Sequence, residues 1–160
     1  MQETIRNIKI LRDCMTRKEN ILNNLIDMTR EQEAYLSGDE FDVDVFDGMI
    51  DAKNLMLDEL NSVDNGFENV YNRVRDELKD NSSSYADEIR DLKNCIREIT
   101  SLSMQLQALE ERNRSRLEKI FSSKQVEITG YKRASNQVSA YYQTMTGNAA
   151  ALNSIMDKKK

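Results

Sequence analysis

Apolar residues recur at alternating three- and four-residue steps through three long segments, and this spacing constrains the fold more than any other feature. A repeat averaging 3.5 residues places one apolar stripe along an α-helix and is typical of coiled coils and helical bundles. In the first segment, about residues 4–36, the stripe comprises Ile8, Leu11, Met15, Leu22, Leu25 and Leu36, with Ile21 and Ile26 beside it. Lys18, Thr29 and Gln32 are polar interruptions of that series.

Two further segments carry the same pattern. The second, about residues 43–80, has Phe46, Met49, Met56, Leu60, Val63, Phe67, Val70, Val74 and Leu78 on its stripe. The third, about residues 85–122, has Ile89, Leu92, Ile96, Ile99, Leu102, Leu106, Leu109, Leu117 and Ile120. Asn113 is a polar insertion in this last series, and a single polar core residue sets the register of packed helices at some cost in stability. The chain contains no proline, so nothing interrupts three long helices.

Two short breaks separate the segments. Gly38 suits the end of the first helix, and Asp39 or Asp42 is placed to cap the second. Ser84 followed by Asp87 resembles a capping box for the third. Because short loops make consecutive helices antiparallel neighbours, the sequence predicts an all-α fold, an elongated up-down-up three-helix bundle over residues 1–122.

The third stripe continues beyond the length that its neighbours allow. At 1.5 Å per residue the first two helices span roughly 50 and 57 Å, so the third passes their ends near Ser122. Yet apolar residues recur at the same spacing for roughly another 30 Å. They are Tyr131, Ala134, Val138, Tyr141 and Met145, with Ile128 and Tyr142 alongside. We therefore expect a C-terminal helical extension over residues 123–148 and a flexible basic tail over 149–160.

Three interpretations of this extension remain open. It folds back onto the bundle, with Gly130 breaking the helix, or it forms the seam of a homodimer. The interpretation we favour is that the stripe binds a helix of a partner protein, since tyrosines give large amphipathic contact area and recur at binding hot spots.

Charge is distributed unevenly along the chain. Residues 39–68 include ten acidic side chains and one basic side chain, Lys53, a net of −9, whereas residues 112–133 have a net of +5. Charge runs of this kind usually mark solvated faces with internal pairing, which is the interpretation we favour. A basic end that meets an acidic partner, or transiently a membrane surface, is the alternative. The overall charge of −5 argues against nucleic-acid binding.

The sequence offers no constellation for catalysis. Histidine is absent, and with it the commonest general base and metal ligand. Cys14 and Cys95 lack metal-site spacing and are expected to be buried free thiols. No glycine-rich phosphate loop occurs. We therefore expect neither an enzyme nor a cofactor. The charged N-terminal residues lack the apolar core of a secretory signal, and no apolar run is long enough to span a bilayer, so we expect a cytoplasmic protein.

Beside the three long segments and the acidic start of the second helix, two stretches are distinctive, Leu106-Gln107-Ala108-Leu109-Glu110-Glu111-Arg112-Asn113 and Ser139-Ala140-Tyr141-Tyr142. With these features the sequence resembles the FlgN-type flagellar export chaperones. The resemblance covers most of the chain and rests on pattern and length rather than on an invariant motif.

The resemblance implies a chaperone of type III secretion in the bacterial cytoplasm. Such proteins bind the amphipathic C-terminal helices of hook–filament junction proteins and deliver them to the export gate. It also implies that the C-terminal helical region binds the client, and that a tail aromatic, Tyr141 or Tyr142 here, docks on the gate. A structural coiled-coil protein that self-associates through the tail is the alternative.

Overall fold

The computed structural model describes residues 2–123, which form three long α-helices. Helix α1 spans Gln2–Leu36, α2 spans Val43–Asp80 and α3 spans Ala86–Ser123. A single 3₁₀ turn at Ser82–Tyr85 joins α2 to α3. The prediction of an all-α helical bundle is confirmed. The predicted extension over residues 123–148 and the tail over 149–160 lie, beyond Ser123, outside the described residues.

Contacts between the helices give their relative directions. Lys18 on α1 pairs with Asp64 on α2, and Gln32 on α1 meets Lys53, so α1 and α2 are antiparallel. On α3, Asp91 pairs with Arg12 and Arg112 with Glu33, so α1 and α3 are parallel. The order is therefore up-down-up. We call the end of the bundle that carries the α1–α2 loop, residues 37–42, the loop end.

The helix boundaries follow from local hydrogen bonding. Asp42, one of the two predicted caps of α2, takes the N-cap position in extended conformation, and its carboxylate accepts from the Asp44 N–H at 2.8 Å. Ser84, the predicted cap of α3, lies instead inside the 3₁₀ turn, where its own N–H donates to Asn81 O at 2.9 Å. The turn buries Tyr85, whose hydroxyl donates to Glu77 at 3.3 Å. Tyr85 thus precedes α3 directly.

Apolar side chains from all three helices form a long main core. The predicted stripe of α1 is buried throughout, and its polar interruptions Lys18, Thr29 and Gln32 are buried with it. On α2 three predicted positions, Met49, Met56 and Val70, are only partly buried, and their neighbours Ile50, Leu57 and Tyr71 are buried instead. Met56 and Val70 still pack against the main core. On α3 the prediction holds for Leu92, Ile96, Ile99, Leu106, Leu109 and Leu117, whereas Ile89, Leu102 and Ile120 are partly buried.

Candidate functional site

A layer of polar side chains crosses the interior near the loop end. Each member is at most 3% exposed. The members, which we call the polar layer, are Thr29 and Gln32 on α1, Lys53 on α2, and Glu110 and Asn113 on α3. Burying so many polar groups is costly unless they are hydrogen-bonded to one another, so the contacts within the layer decide whether it is tolerated.

Lys53 and Glu110 form the ion pair at the centre of the layer. The Lys53 ammonium also donates to Gln32 Oε1 at 3.0 Å, and Thr29 Oγ1 donates to Glu110 Oε1 at 3.0 Å. Burial lowers the pKa of Lys53, and the adjacent Glu110 carboxylate opposes that change. The pair therefore depends on both partners, since the loss of either would leave the other charge buried without its counter-charge.

Asn113 joins α3 to α1 in the same layer. Its side-chain N–H₂ donates to the Thr29 carbonyl at 3.0 Å and to Gln32 Oε1 at 3.3 Å. Hydrogen bonds that reach across helices at one height penalise any sliding of α3 along α1, because a slip would leave the groups buried and unpaired. This geometry agrees with a register-setting function for Asn113, which remains a proposal.

The polar layer divides the apolar interior in two. On one side lies the main core, and on the loop-end side lies a small cluster of Leu36, Phe46, Ile50 and Leu117. Aromatic rings close this cluster. The ring centroid of Phe41, in the α1–α2 loop, lies 6.1 Å from that of Tyr35, 5.8 Å from that of Phe46 and 5.8 Å from that of Phe121. We call these four rings the aromatic cap.

The aromatic cap fixes the position of the last described turn of α3. The Phe121 ring meets Phe41 edge-on, and Tyr35 ties the same loop by accepting from the Asp42 N–H at 2.7 Å. At its last described turn, α3 is therefore level with the loop in which α1 ends and α2 begins. The helix-length estimate from sequence puts this level near Ser122.

A groove opens on the surface between α1 and α2 at the same end. It has a volume of about 300 Å³ and is lined by Met28 and Glu31 on α1 and by Val45, Gly48, Met49 and Ala52 on α2. Of these residues Val45 is 45% exposed, and Met28 and Met49 are partly exposed. Exposed apolar side chains that line a concavity are a feature of binding surfaces.

Some charged residues of the acidic and basic segments form ion pairs within the bundle. Arg112 pairs with Glu33 at 3.2 Å and Arg114 with Glu118 at 3.5 Å, while in the acidic segment Asp64 pairs with Lys18 at 2.7 Å. These contacts agree with internal pairing for the described parts of the basic and acidic runs.

Cys14 and Cys95 are free thiols, and burial raises the pKa of both.

The residues predicted to bind a partner lie outside the described residues. They are Ile128, Tyr131, Ala134, Val138, Tyr141, Tyr142 and Met145. Sequence reasoning missed the polar layer, although Thr29, Gln32 and Asn113 were noted as polar positions on apolar stripes. The available signal was Lys53, which lies three residues after Ile50 and four before Leu57 and so continues the buried stripe of α2.

The described residues offer no metal site and no membrane span. Across residues 2–123, no three His, Cys, Asp or Glu side chains are grouped so as to hold a metal ion. Within the same range no helix is both long and apolar enough to cross a bilayer. The described fold thus defines the broad class, a long helical bundle of the coiled-coil type.

Comparison with known proteins gives the family. The model of the family described as FlgN protein matches residues 1–150. The chain therefore belongs to the FlgN family, the flagellar export chaperones, which implies partners that are protein clients. No curated protein and no solved structure gives a significant match.

Proposed function

We propose that this chaperone binds the amphipathic C-terminal helices of hook-associated proteins, those of the hook–filament junction, and delivers them to the export gate. The proposed binding segment is residues 123–148, with Tyr131, Val138, Tyr141 and Met145 as anchors. The observation that carries the proposal is the position of Phe121 against Phe41 at the loop end. Beyond that point the apolar spacing continues in the sequence, although α1 ends and α2 begins at this level of the bundle.

The physical task is to cover an apolar helix face until the client is exported. An exposed face of this kind promotes aggregation, and a second amphipathic helix packed against it removes that hazard. Each buried anchor contributes on the order of 1.5–3 kcal/mol before the cost of ordering both segments. Four or five anchors then support micromolar affinity that still allows release.

This function needs no chemistry beyond binding, and we propose that the protein is not an enzyme and works in the bacterial cytoplasm. Membership of a chaperone family supports the proposal that the protein is not an enzyme. For gate docking, Tyr141 and Tyr142 are the proposed aromatic residues, and substitution of each to alanine separates their contributions in a gate-binding assay.

A peptide-binding measurement tests the client proposal directly. The probe is a synthetic peptide of the C-terminal helix of a hook–filament junction protein, titrated calorimetrically into the full chain. Val138→Asp places a charge on the apolar stripe and should weaken binding at least ~10-fold, the loss of one anchor. Gln137→Asp, one position off the stripe, is the matched control and should bind like the unsubstituted chain.

Equal affinity for the two variants would show that the stripe is not the client site. Sedimentation of the unbound chain addresses the alternative function. A tight dimer that Val138→Asp dissociates would favour a structural coiled coil that self-associates through this segment.

A further inference from the structure

The groove between α1 and α2 lies beside the point where the chain leaves the described bundle. Phe121, two residues before the end of α3, contacts Phe41, and Val45 follows Phe41 by four residues at the start of α2. The groove residues Glu31, Val45, Gly48 and Ala52 are exposed, so α3 does not cover them. Chain that continues past Ser123 therefore begins at the end of the molecule where this groove opens.

We propose that the groove holds the chain's own residues 131–148 in the client-free protein. The inference rests on the proposed function, because it makes this contact and client binding compete for one apolar stripe. Client binding then requires the stripe to leave the groove. The groove therefore lowers the apparent affinity of the chain for its clients.

The spacing of apolar residues suits the two surfaces to each other. On α2 the apolar residues that line the groove, Val45, Met49 and Ala52, are separated by four and three residues. The stripe of Tyr131, Ala134, Val138, Tyr141 and Met145 has steps of three, four, three and four. Two helices with these patterns pack side chains of one between those of the other.

Gly48 and Ala52 leave the room that this packing needs. A Cβ atom added at Gly48 would meet no heavy atom within 4 Å. Large side chains of a docked helix, such as tyrosine, therefore have space above this part of α2.

Charge supports the same occupant. Residues 39–68, of which Val45, Gly48, Met49 and Ala52 line the groove, have a net charge of −9, and Glu31 lies in the other wall. Residues 124–160 contain six basic and two acidic side chains, a net of +4, and Lys132 and Arg133 fall within the docking segment. Opposite charge around an apolar contact favours this pairing over contact with another acidic helix.

The connection is long enough. Residues 124–130 reach up to about 23 Å when extended, which spans the end of a three-helix bundle whose helices are each about 10 Å wide. The last residue of that connection is Gly130, and glycine allows the backbone to change direction there. A short link also gives the segment a local concentration on the order of millimolar at the groove, so a weak contact suffices.

The test is to fill the groove without disturbing the fold. Gly48→Leu places a side chain in the groove, and Gly66→Leu is the matched control, because it also lies on α2 and has no heavy atom within 4 Å of an added Cβ. Both substitutions favour helix. Circular dichroism and urea unfolding confirm that both variants are folded.

Amide hydrogen exchange of the full chain is the first measurement and needs no client. Residues 131–145 should be protected in the unsubstituted chain and in Gly66→Leu, and should exchange at least ~10-fold faster in Gly48→Leu. Exchange in that segment that is equal in all three proteins would overturn the proposal. Protection that grows with protein concentration, together with a dimer by sedimentation, would assign the groove to a second copy and also overturn it.

Affinity for the client-helix peptide is the second measurement. Gly48→Leu should bind the peptide several-fold more tightly than Gly66→Leu, because the competing contact is removed. Weaker binding by Gly48→Leu would mean that the groove holds the client, which contradicts the proposal. If no variant binds the peptide, the proposed client fails, while the exchange measurement still decides whether the segment occupies the groove.

Discussion

The two ends of the bundle are stabilised in different ways. The main core is almost entirely apolar, from Ile8 and Leu11 on α1 to Leu106 and Leu109 on α3. Among residues 2–123, the loop end has four buried apolar side chains in its cluster, and the polar layer separates them from the main core. An apolar core tolerates small shifts of its helices, whereas a hydrogen-bonded layer fixes one alignment. The difference indicates that the main core supplies most of the stability and that the polar layer supplies the alignment of the loop end, where α3 reaches its last described turn.

The largest effect is expected from breaking the central ion pair. Glu110→Gln removes the carboxylate beside Lys53, a residue that is 0% exposed, and leaves its buried ammonium without that counter-charge. We expect a loss of about 3–5 kcal/mol in the free energy of unfolding. Urea unfolding measures this loss as a lower midpoint at unchanged slope.

The neighbouring residue supplies the control. Glu111 is exposed, and Glu111→Gln should change stability by less than about 0.5 kcal/mol. The double variant Lys53→Met with Glu110→Leu removes both charges and should recover most of the loss, because apolar side chains often replace a buried pair without cost. A loss of under about 1 kcal/mol for Glu110→Gln would mean that the pair is not buried in solution.

A second prediction concerns the independence of the two ends. Leu117→Ala in the loop-end cluster and Leu106→Ala in the main core remove the same atoms from the same helix, at 5% and 1% exposure. Leu106→Ala should cost about 3–4 kcal/mol and lower protection throughout the bundle. Leu117→Ala should cost less, about 2–3 kcal/mol, because the small cluster opens locally.

Hydrogen exchange shows whether the loop-end cluster opens by itself or together with the main core. For Leu117→Ala, amides near Leu36 and Ile50 should exchange faster, while amides near Leu22 and Leu60 keep their protection. Equal acceleration at both ends would show that the polar layer does not separate them and that the bundle opens as one unit.

The sequence predicted the course of the helices better than the choice of inward-facing residues. Spacing fixes which face of a helix is apolar, so the stripe on α1 was found together with the polar positions Lys18, Thr29 and Gln32. On α2, adjacent apolar pairs such as Met49 and Ile50 both satisfy the repeat. Spacing cannot choose between them, since the choice depends on how neighbouring helices rotate to fill the core.

The polar layer was not predicted, for a different reason. A lysine on an amphipathic helix is nearly always exposed, so Lys53 was counted with the surface charge of its segment. Its burial requires Glu110, which is 57 residues away in the sequence, at the same height in the bundle. A pairing of that kind becomes visible only when the relative heights of two helices are known. The predicted C-terminal anchors remain predictions, as they lie outside the described residues.

The smallest expected effect concerns how the loop end is tied to α2. Both Asp39 and Asp42 suited the cap from sequence, and the structure places Asp42 there, with its carboxylate on the Asp44 N–H at 2.8 Å. Asp42→Ala should cost about 1 kcal/mol and Asp39→Ala less, as measured by urea unfolding. The backbone of Asp42 also bonds the Tyr35 hydroxyl in both directions, and those bonds survive the substitution. The cost should therefore be that of the cap alone. A greater cost for Asp39→Ala than for Asp42→Ala would place the cap, and with it the first turn of α2, three residues earlier.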